Sequence, residues 1–347
     1  MSESGQAPTY AVMDDSIQRD SAIWFEDGNI VAIAQNTAFR FHKGMLSLHS
    51  LVFRDLFSVP QPSHGLGAGQ MFDDCQAVHV TDTSYDFREL LLAIYYGGVS
   101  YLRPDATVKF SVLAALARLS HKYQLDQLLE AVVLKLQRTF TTQFEVWNRS
   151  GGFLERSSPL ELGFRHAIEA LNLFRLLDRP DMVPVALYGC CQLQPAELLR
   201  GVKRDDGVSQ ERLSPADLEL CMETKPRLMQ AAVRLMMALS DFVEARISLV
   251  CSGKQGCLVP KACLGSLDSL LSSTRVQMRC KIDADALNGI FSEEMNMWVS
   301  LGRLCAVCGD ALRAAHLKFR REAWGSLPML MRMTIDGGGL ELNHHGM

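Results

Sequence analysis

The stretch FRFHKGMLSLHSLVFRDLF, from Phe39 to Phe57, changes its hydrophobic period halfway along. Phe39 and Phe41 alternate with Arg40, which puts both aromatics on one face of a strand. From His42 onward the apolar positions follow helical spacing: Met45, Leu46 and Leu48, then Leu51, Val52 and Leu56. Ser50 stands where a second short helix would take its N-cap. The chain therefore runs from a strand through a His42–Lys43 pair into two brief helices. Downstream, AALARLSHKYQLDQLLEAVVLKL (Ala114–Leu136) supplies longer amphipathic helices to pack against them.

The flanks extend this α+β pattern. Asp27-Gly28-Asn29 is a turn between the apolar run Ile23-Trp24-Phe25 and Ile30–Ile33, and it predicts a hairpin-like start. Asn36-Thr37 marks a second turn. Residues 1–20 lack a sustained apolar period and read as a disordered lead, with order beginning near Ile23. Val59–Gln76 is rich in Pro, Gly and Ser and reads as an exposed loop. A short strand at Ala77–Val80 leads to a helix entry at Thr81–Ser84. Phe87, Leu90, Leu91, Ile94 and Tyr95 then recur at helical spacing up to a stop at Gly97-Gly98. Two more helices follow, over Val108–Ser120 and Leu125–Thr139.

After residue 145 strand signals become scarce. Ser158-Pro159-Leu160-Glu161, Gln194-Pro195-Ala196-Glu197 and Ser214-Pro215-Ala216-Asp217 are helix starts. Proline lacks the N–H that the first turn cannot use, and the acid three residues on favours the cap and the dipole. Leu228, Ala232, Leu235, Leu239 and Phe242 form one stripe of a long helix ending near Ser248. The expected organisation is a disordered lead over 1–20, an α+β domain over 21–145, a mainly α-helical C-terminal domain over 146–335 and a flexible tail over 336–347.

Composition narrows the function classes. Hydrophobic residues make up 48% and charged residues 21% of the 347, which is the balance of a globular protein with a sizeable core. A formal charge of −4 offers no electrostatic reason for nucleic acid or an anionic membrane as partner. Met1–Asp20 is polar where a secretory signal needs an apolar core, and Leu90–Leu102 is too short and too glycine-interrupted to span a bilayer. Ten cysteines without a secretory signal point to reduced thiols inside the cell, in cytoplasm or nucleus.

The first half resembles the BTB (POZ) family, from about Trp24 to Phe140. The family's F-x-x-H-[KR]-x-x-L step is carried by Phe39, His42, Lys43 and Leu46, followed by Ser50, Phe53 and Phe57. Its F-x-x-L-L-x-x-[IY]-Y-x-G step is met by Phe87, Leu90, Leu91, Ile94, Tyr95 and Gly97 or Gly98. A third element is met by Leu116, Ala117, His121-Lys122-Tyr123, Leu125 and Leu128. The long loop and the helical extension look most like the fungal BTB-domain proteins. The resemblance implies a helix cluster flanked by a small sheet, and a non-enzymatic protein–protein interaction module. Such a module forms a homodimer or acts as an adaptor that recruits a scaffold, including a cullin-type ubiquitin ligase. The interaction residues it implies are Trp24, Phe25, Asp27, His42, Lys43, Leu46, Leu48, Leu51 and Val52, with Asp27 paired to one of the two cations in a buried charge pair. The same apolar residues also suit a monomer core. Kelch-type repeats and a Cys-Cys-His-His finger are not in the sequence, which weakens substrate-receptor and transcription-factor roles.

The second half carries one metal-type motif, Cys305-Ala306-Val307-Cys308-Gly309. Cys-x-x-Cys-Gly lets two thiolates meet one ion, and a structural zinc needs two ligands more. Cys251 and Cys257 are the first choice, with Cys263, Cys280 and His316 in reserve. Buried free thiols are the alternative. Gly65–Gly69 lacks the strand, helix and lysine of a phosphate loop. Lys318, Arg320 and Arg321 beside Phe319 and Trp324 read as a solvated helix face, and His344-His345 as part of the tail. No small-molecule substrate is evident, although a helical C-terminal half leaves room for an unrecognised enzyme or a zinc-dependent regulator.

Overall fold

The computed structural model describes residues 16–58, 71–97, 102–103, 106–150, 160–253, 256–280, 284–287, 297–336 and 339–342. The lead before residue 16, the glycine run Gly65–Gly69, Ser158-Pro159 and His344-His345 lie outside them. The chain forms two compact units. One takes in Met1–Thr139, Ser150–Leu162 and Lys203–Gln210, the other Phe140–Arg149, Gly163–Val202 and Glu211–Met347.

In the first unit, β1 (Gln18–Trp24), β2 (Ile30–Ala34), β3 (Thr37–Phe41), β4 (Met71–Phe72) and β5 (Cys75–Val80) form one sheet in the order β1-β3-β2-β5-β4. Every residue of β2 is buried, so this apolar strand is flanked on both sides, by β3 antiparallel and by β5 parallel. The hairpin expected between the Trp24 run and β2 does not form. β1 pairs instead with β3, in parallel. β1 is mostly exposed, so it suits an edge, and the tight hairpin lies at Gln35-Asn36, where Gln35 takes a positive φ of 52°. β1 also begins at Gln18, ahead of Ile23. Its buried Asp20 accepts from the N–H groups of Ala22 and Ile23, both at 2.9 Å, and pairs with Arg88. Gly28 is required at the β1–β2 turn, because a Cβ there would lie 2.9 Å from Phe25 O and 3.0 Å from Phe41 N.

Helices α1 (Lys43–His49), α2 (Leu51–Ser58), α3 (Ser84–Tyr95), α4 (Phe110–Lys122) and α5 (Asp126–Leu136) complete the unit. Ser50 caps α2 by accepting from Phe53 N–H, and its hydroxyl donates to Tyr123 O at 2.6 Å. Thr83 caps α3 through Asp86 N–H. The core gathers Phe39, Phe41 and Phe53 around Phe87, with ring centroids 5.5, 6.2 and 6.5 Å away. Strand β6 (Val108–Lys109) pairs in parallel with β7 (Leu160–Glu161). Leu160-Glu161 is thus a strand and not the start of a helix: Leu160 is buried against the sheet pair and Gly163 follows two residues later.

The second unit is helical. It holds α6 (Phe144–Ser150), α7 (Ala167–Leu176), α8 (Val183–Gln192), α9 (Pro195–Arg200), the 37-residue α10 (Pro215–Cys251), α11 (Pro260–Cys280) and α12 (Ala306–Leu330). Ser214 and Gln194 cap as their sequence contexts predict, through Asp217 N–H to Ser214 Oγ and Gln194 N–H to Glu197 Oε2. α10 packs against α11 and α12. Leu239 and Val243 meet Leu267, Leu270 and Leu312 in their shared core. Part of the expected tail is ordered as a hairpin, β8 (Met333–Asp336) antiparallel to β9 (Gly339–Leu342).

Candidate metal centre and association face

Four thiols converge in the core of the second unit. Cys257 lies in the connection after α10, Cys263 in the first turn of α11, Cys305 at the N-cap of α12 and Cys308 in its first turn. Their sulfur atoms all lie within 4.8 Å of one another. Cys257 Sγ is 3.8 Å from Cys305 Sγ and 3.7 Å from Cys308 Sγ, and all four cysteines are unbridged. A tetrahedral zinc with Zn–S bonds of about 2.3 Å has sulfur–sulfur edges of about 3.8 Å, so these separations fit one. The group is half-buried at Cys257 and buried at the other three.

Local folding explains the convergence. Pro260 opens α11 and places Cys263 inside its first turn, while Cys305 and Cys308, three residues apart, project from the start of α12. Helix N-termini favour thiolate over thiol. Burial pushes the Cys305 thiol up, but the N–H groups of Leu258 and Cys308 and the neighbouring thiols outweigh it and hold Cys305 at about 6. Cys263 is driven the other way, by burial and by its thiol neighbours, up to about 12. Gly309, inside α12, gives room for packing, because a Cβ there would lie 2.5 Å from Val299 Cγ2.

Cys251, the first choice from sequence, is exposed at the last residue of α10 and takes no part in the group; Cys263 occupies its place. The Cys280 side chain lies outside the described residues. His316 is buried on α12, eight residues beyond Cys308, about 12 Å along the helix axis and outside the cluster. The sequence reading missed Arg246 of α10. It is 5% exposed, and its Nη2 donates to Cys308 Sγ at 3.5 Å.

The residues of the family resemblance divide between core and surface. Leu46 is fully buried. Trp24 packs edge-on against Phe72 at 6.1 Å beneath the Arg19 guanidinium, and Val52 is half-buried. Phe25 stacks on Tyr95 at 4.6 Å. His42 Nδ1 lies 3.0 Å from Tyr95 Oη and its Nε2 3.2 Å from Asp27 Oδ2. A proton on Nε2 satisfies both contacts, with the tyrosine hydroxyl donating to Nδ1 and the imidazole donating to the carboxylate. Asp27 thus pairs with His42, but the pair is not buried, since the Asp27 side chain is 83% exposed. Lys43 is exposed, and its backbone N–H donates to Asn29 Oδ1.

Leu48 and Leu51 stand apart from the rest, 76% and 53% exposed. They flank a groove of about 910 Å³ whose other walls come from Ala93 and Ile94 at the end of α3 and from Leu125 and Leu128 at the start of α5. Lys318 and Arg321 of the α12 basic cluster are solvent-exposed, as a solvated face predicts, while Arg320 is half-buried. Arg320 donates to Leu287 O and Asn148 Oδ1, and Arg321 pairs with Glu145.

Residues 26–139 match the model of the BTB/POZ domain. No curated protein matches the chain. The N-terminal region is therefore a BTB/POZ domain, a protein–protein interaction family without enzymatic activity, followed by a mainly helical region. Among the described residues no helix is long and apolar enough to cross a membrane.

Proposed function

We propose that the BTB/POZ domain of this chain joins two copies of the protein through the face built by α1 and α2, and that the protein acts by binding and not by catalysis. The observation that carries this reading is the exposure of Leu48 and Leu51 beside the α3–α5 groove, in a motif that buries Phe39, Phe41, Leu46 and Phe53. Two leucines left in water on neighbouring helices gain roughly 1.5–3 kcal/mol each when covered. Val52, half-buried beside Leu51 in α2, would add to the same patch. Light scattering coupled to size exclusion tests it. The wild type is expected to run as a dimer and the Leu48→Asp/Leu51→Asp variant as a folded monomer. A wild type that stays monomeric at the highest attainable concentration overturns the reading.

A second reading concerns the helical unit. The 3.8 and 3.7 Å sulfur separations support a structural zinc ion held by Cys257, Cys263, Cys305 and Cys308. Bound there, the ion would tie the α10–α11 connection to the starts of α11 and α12 and add folding free energy directly. Its thiolates require a reducing compartment, which suits an intracellular protein. Metal analysis of protein purified without chelator is expected to return one zinc per chain; a metal-free protein with full thiol reactivity argues against it.

A further inference from the structure

The same centre holds a cation of its own, and its position carries a consequence. Arg246 is buried on α10, the helix whose Leu239 and Val243 share one apolar core with Cys305 and Cys308. A guanidinium in such surroundings is costly unless a negative partner faces it. Its Nη2 lies 3.5 Å from Cys308 Sγ, a donor–sulfur distance suited to a charge-assisted hydrogen bond onto a thiolate. Four thiolates around a divalent ion carry a net charge of −2, which a water-poor core disfavours, and a guanidinium held against one of the ligands offsets part of that charge.

We propose that Arg246 is the built-in counter-charge of a four-thiolate divalent-metal site: a positioning residue that raises the site's affinity through Cys308 without touching the ion. This rests on the zinc reading above. Groups that hydrogen-bond to metal ligands tune affinity by about 10–100-fold, and Arg246 reaches its ligand from a third helix, outside the two that carry Cys263, Cys305 and Cys308. The hydrogen bond also stabilises the sulfur lone pairs. Removing it therefore moves thiolate-to-metal charge transfer to lower energy.

Cobalt(II) titration of the full-length reduced protein tests this, because tetrahedral cobalt thiolates show both ligand-field and charge-transfer bands. Competition with a chromophoric chelator then ranks zinc affinity. The wild type is expected to give the four-thiolate cobalt spectrum. Arg246→Met is expected to bind zinc about 10–100-fold more weakly, with the charge-transfer band displaced to lower energy. Arg246→Lys, which keeps the charge, is expected to restore most of the affinity, and Arg246→Gln, which keeps an N–H donor without charge, to restore little. The Lys and Gln variants carry the test if the Met variant does not fold. Leu228→Ala, a core change outside the cluster that holds the sulfurs, controls for lost stability and should leave the band in place. A wild-type affinity and an unmoved band in the Met variant, or in the Gln variant, overturn the role of Arg246 while leaving the metal site standing. A wild type that yields no four-thiolate cobalt spectrum overturns the site itself, and the inference with it.

Discussion

Cys257 and Cys305 are 48 residues apart in the chain, yet their sulfurs lie 3.8 Å from each other. That distance is too long for a disulfide and close to the edge of a zinc–thiolate tetrahedron. The pair joins the connection between α10 and α11 to the first residue of α12's cap. A crosslink across so long an interval removes much freedom from the unfolded chain, so an ion at this position should matter to stability more than to surface chemistry.

Replacing Cys263 and replacing Cys251 should have opposite outcomes. Cys263→Ser removes one of four converging sulfurs from the core and is expected to abolish stoichiometric zinc and lower the melting temperature. Cys251→Ser changes an exposed side chain and should alter stability by less than about 0.5 kcal/mol while zinc content stays intact. Metal analysis and thermal melts of the two variants side by side check the pair. Zinc lost from the Cys251 variant alone would reverse the assignment.

Neighbouring leucines of α1 should separate folding from association. Leu46→Ala opens a cavity in the packed core and is expected to destabilise the domain by about 2–5 kcal/mol in urea unfolding. Leu48→Ala removes an exposed side chain and should leave the unfolding of a dilute, monomeric sample nearly unchanged, while weakening self-association. The ratio of the two effects, read by urea melts and by sedimentation, is the measurement.

Asp86 and Arg118 form a two-point ion pair with both contacts at 3.0 Å, and Arg204 approaches the same carboxylate at 3.7 Å. The side chains of Asp86 and Arg118 are 5% and 14% exposed. Asp86→Ala removes the buried carboxylate that Arg118 and Arg204 both approach and should cost about 3–5 kcal/mol. The double variant Asp86→Leu/Arg118→Met removes both charges of the bidentate pair and is expected to recover much of that loss. A double variant as unstable as the single would point to packing, not charge, as the source.

Much of this architecture is legible in local sequence, and the misses share one cause. Phe39 and Phe41 alternate in the chain and are both buried; Phe87, Leu90 and Leu91 fall on one helix face and are buried together. Caps at Ser50, Thr83 and Ser214 follow from hydroxyl residues placed before apolar runs. These are short-range effects, set within a turn or two of chain. The partner of β1 is not: Asp27-Gly28-Asn29 turns the backbone as expected, but the wholly apolar β2 takes the sheet interior and leaves β1 on the far side of β3. The fourth sulfur is of the same kind. Cys251 and Cys257 bracket a glycine-rich connection and look like a pair, yet Cys251 still belongs to α10 and faces solvent, and Pro260 brings Cys263 into line. Arg246 had no local signal at all, since one arginine on a long amphipathic helix is ordinary until the fold places it against a thiol.

His316 should make the helical unit sensitive to acid. It is buried on α12, and burial together with the nearby Arg320 charge lowers its pKa from 6.5 to about 4. Below pH 6.5 the unfolded chain takes up a proton that the folded chain refuses, so stability falls as pH drops through the window from 6.5 to 4 and is unaffected above it. The slope approaches about 1.4 kcal/mol per pH unit, and the accumulated loss at the bottom of the window is roughly 3 kcal/mol. Thiolate protonation and metal release act over acidic pH as well, so the informative quantity is the difference between wild type and His316→Gln, both saturated with zinc. Tryptophan fluorescence follows it well, because Trp147, Trp298 and Trp324 all belong to this unit. The variant is expected to lose less stability than the wild type on acidification, with the two curves running parallel above pH 6.5. Curves that stay parallel down to pH 4 would mean that His316 accepts its proton without unfolding.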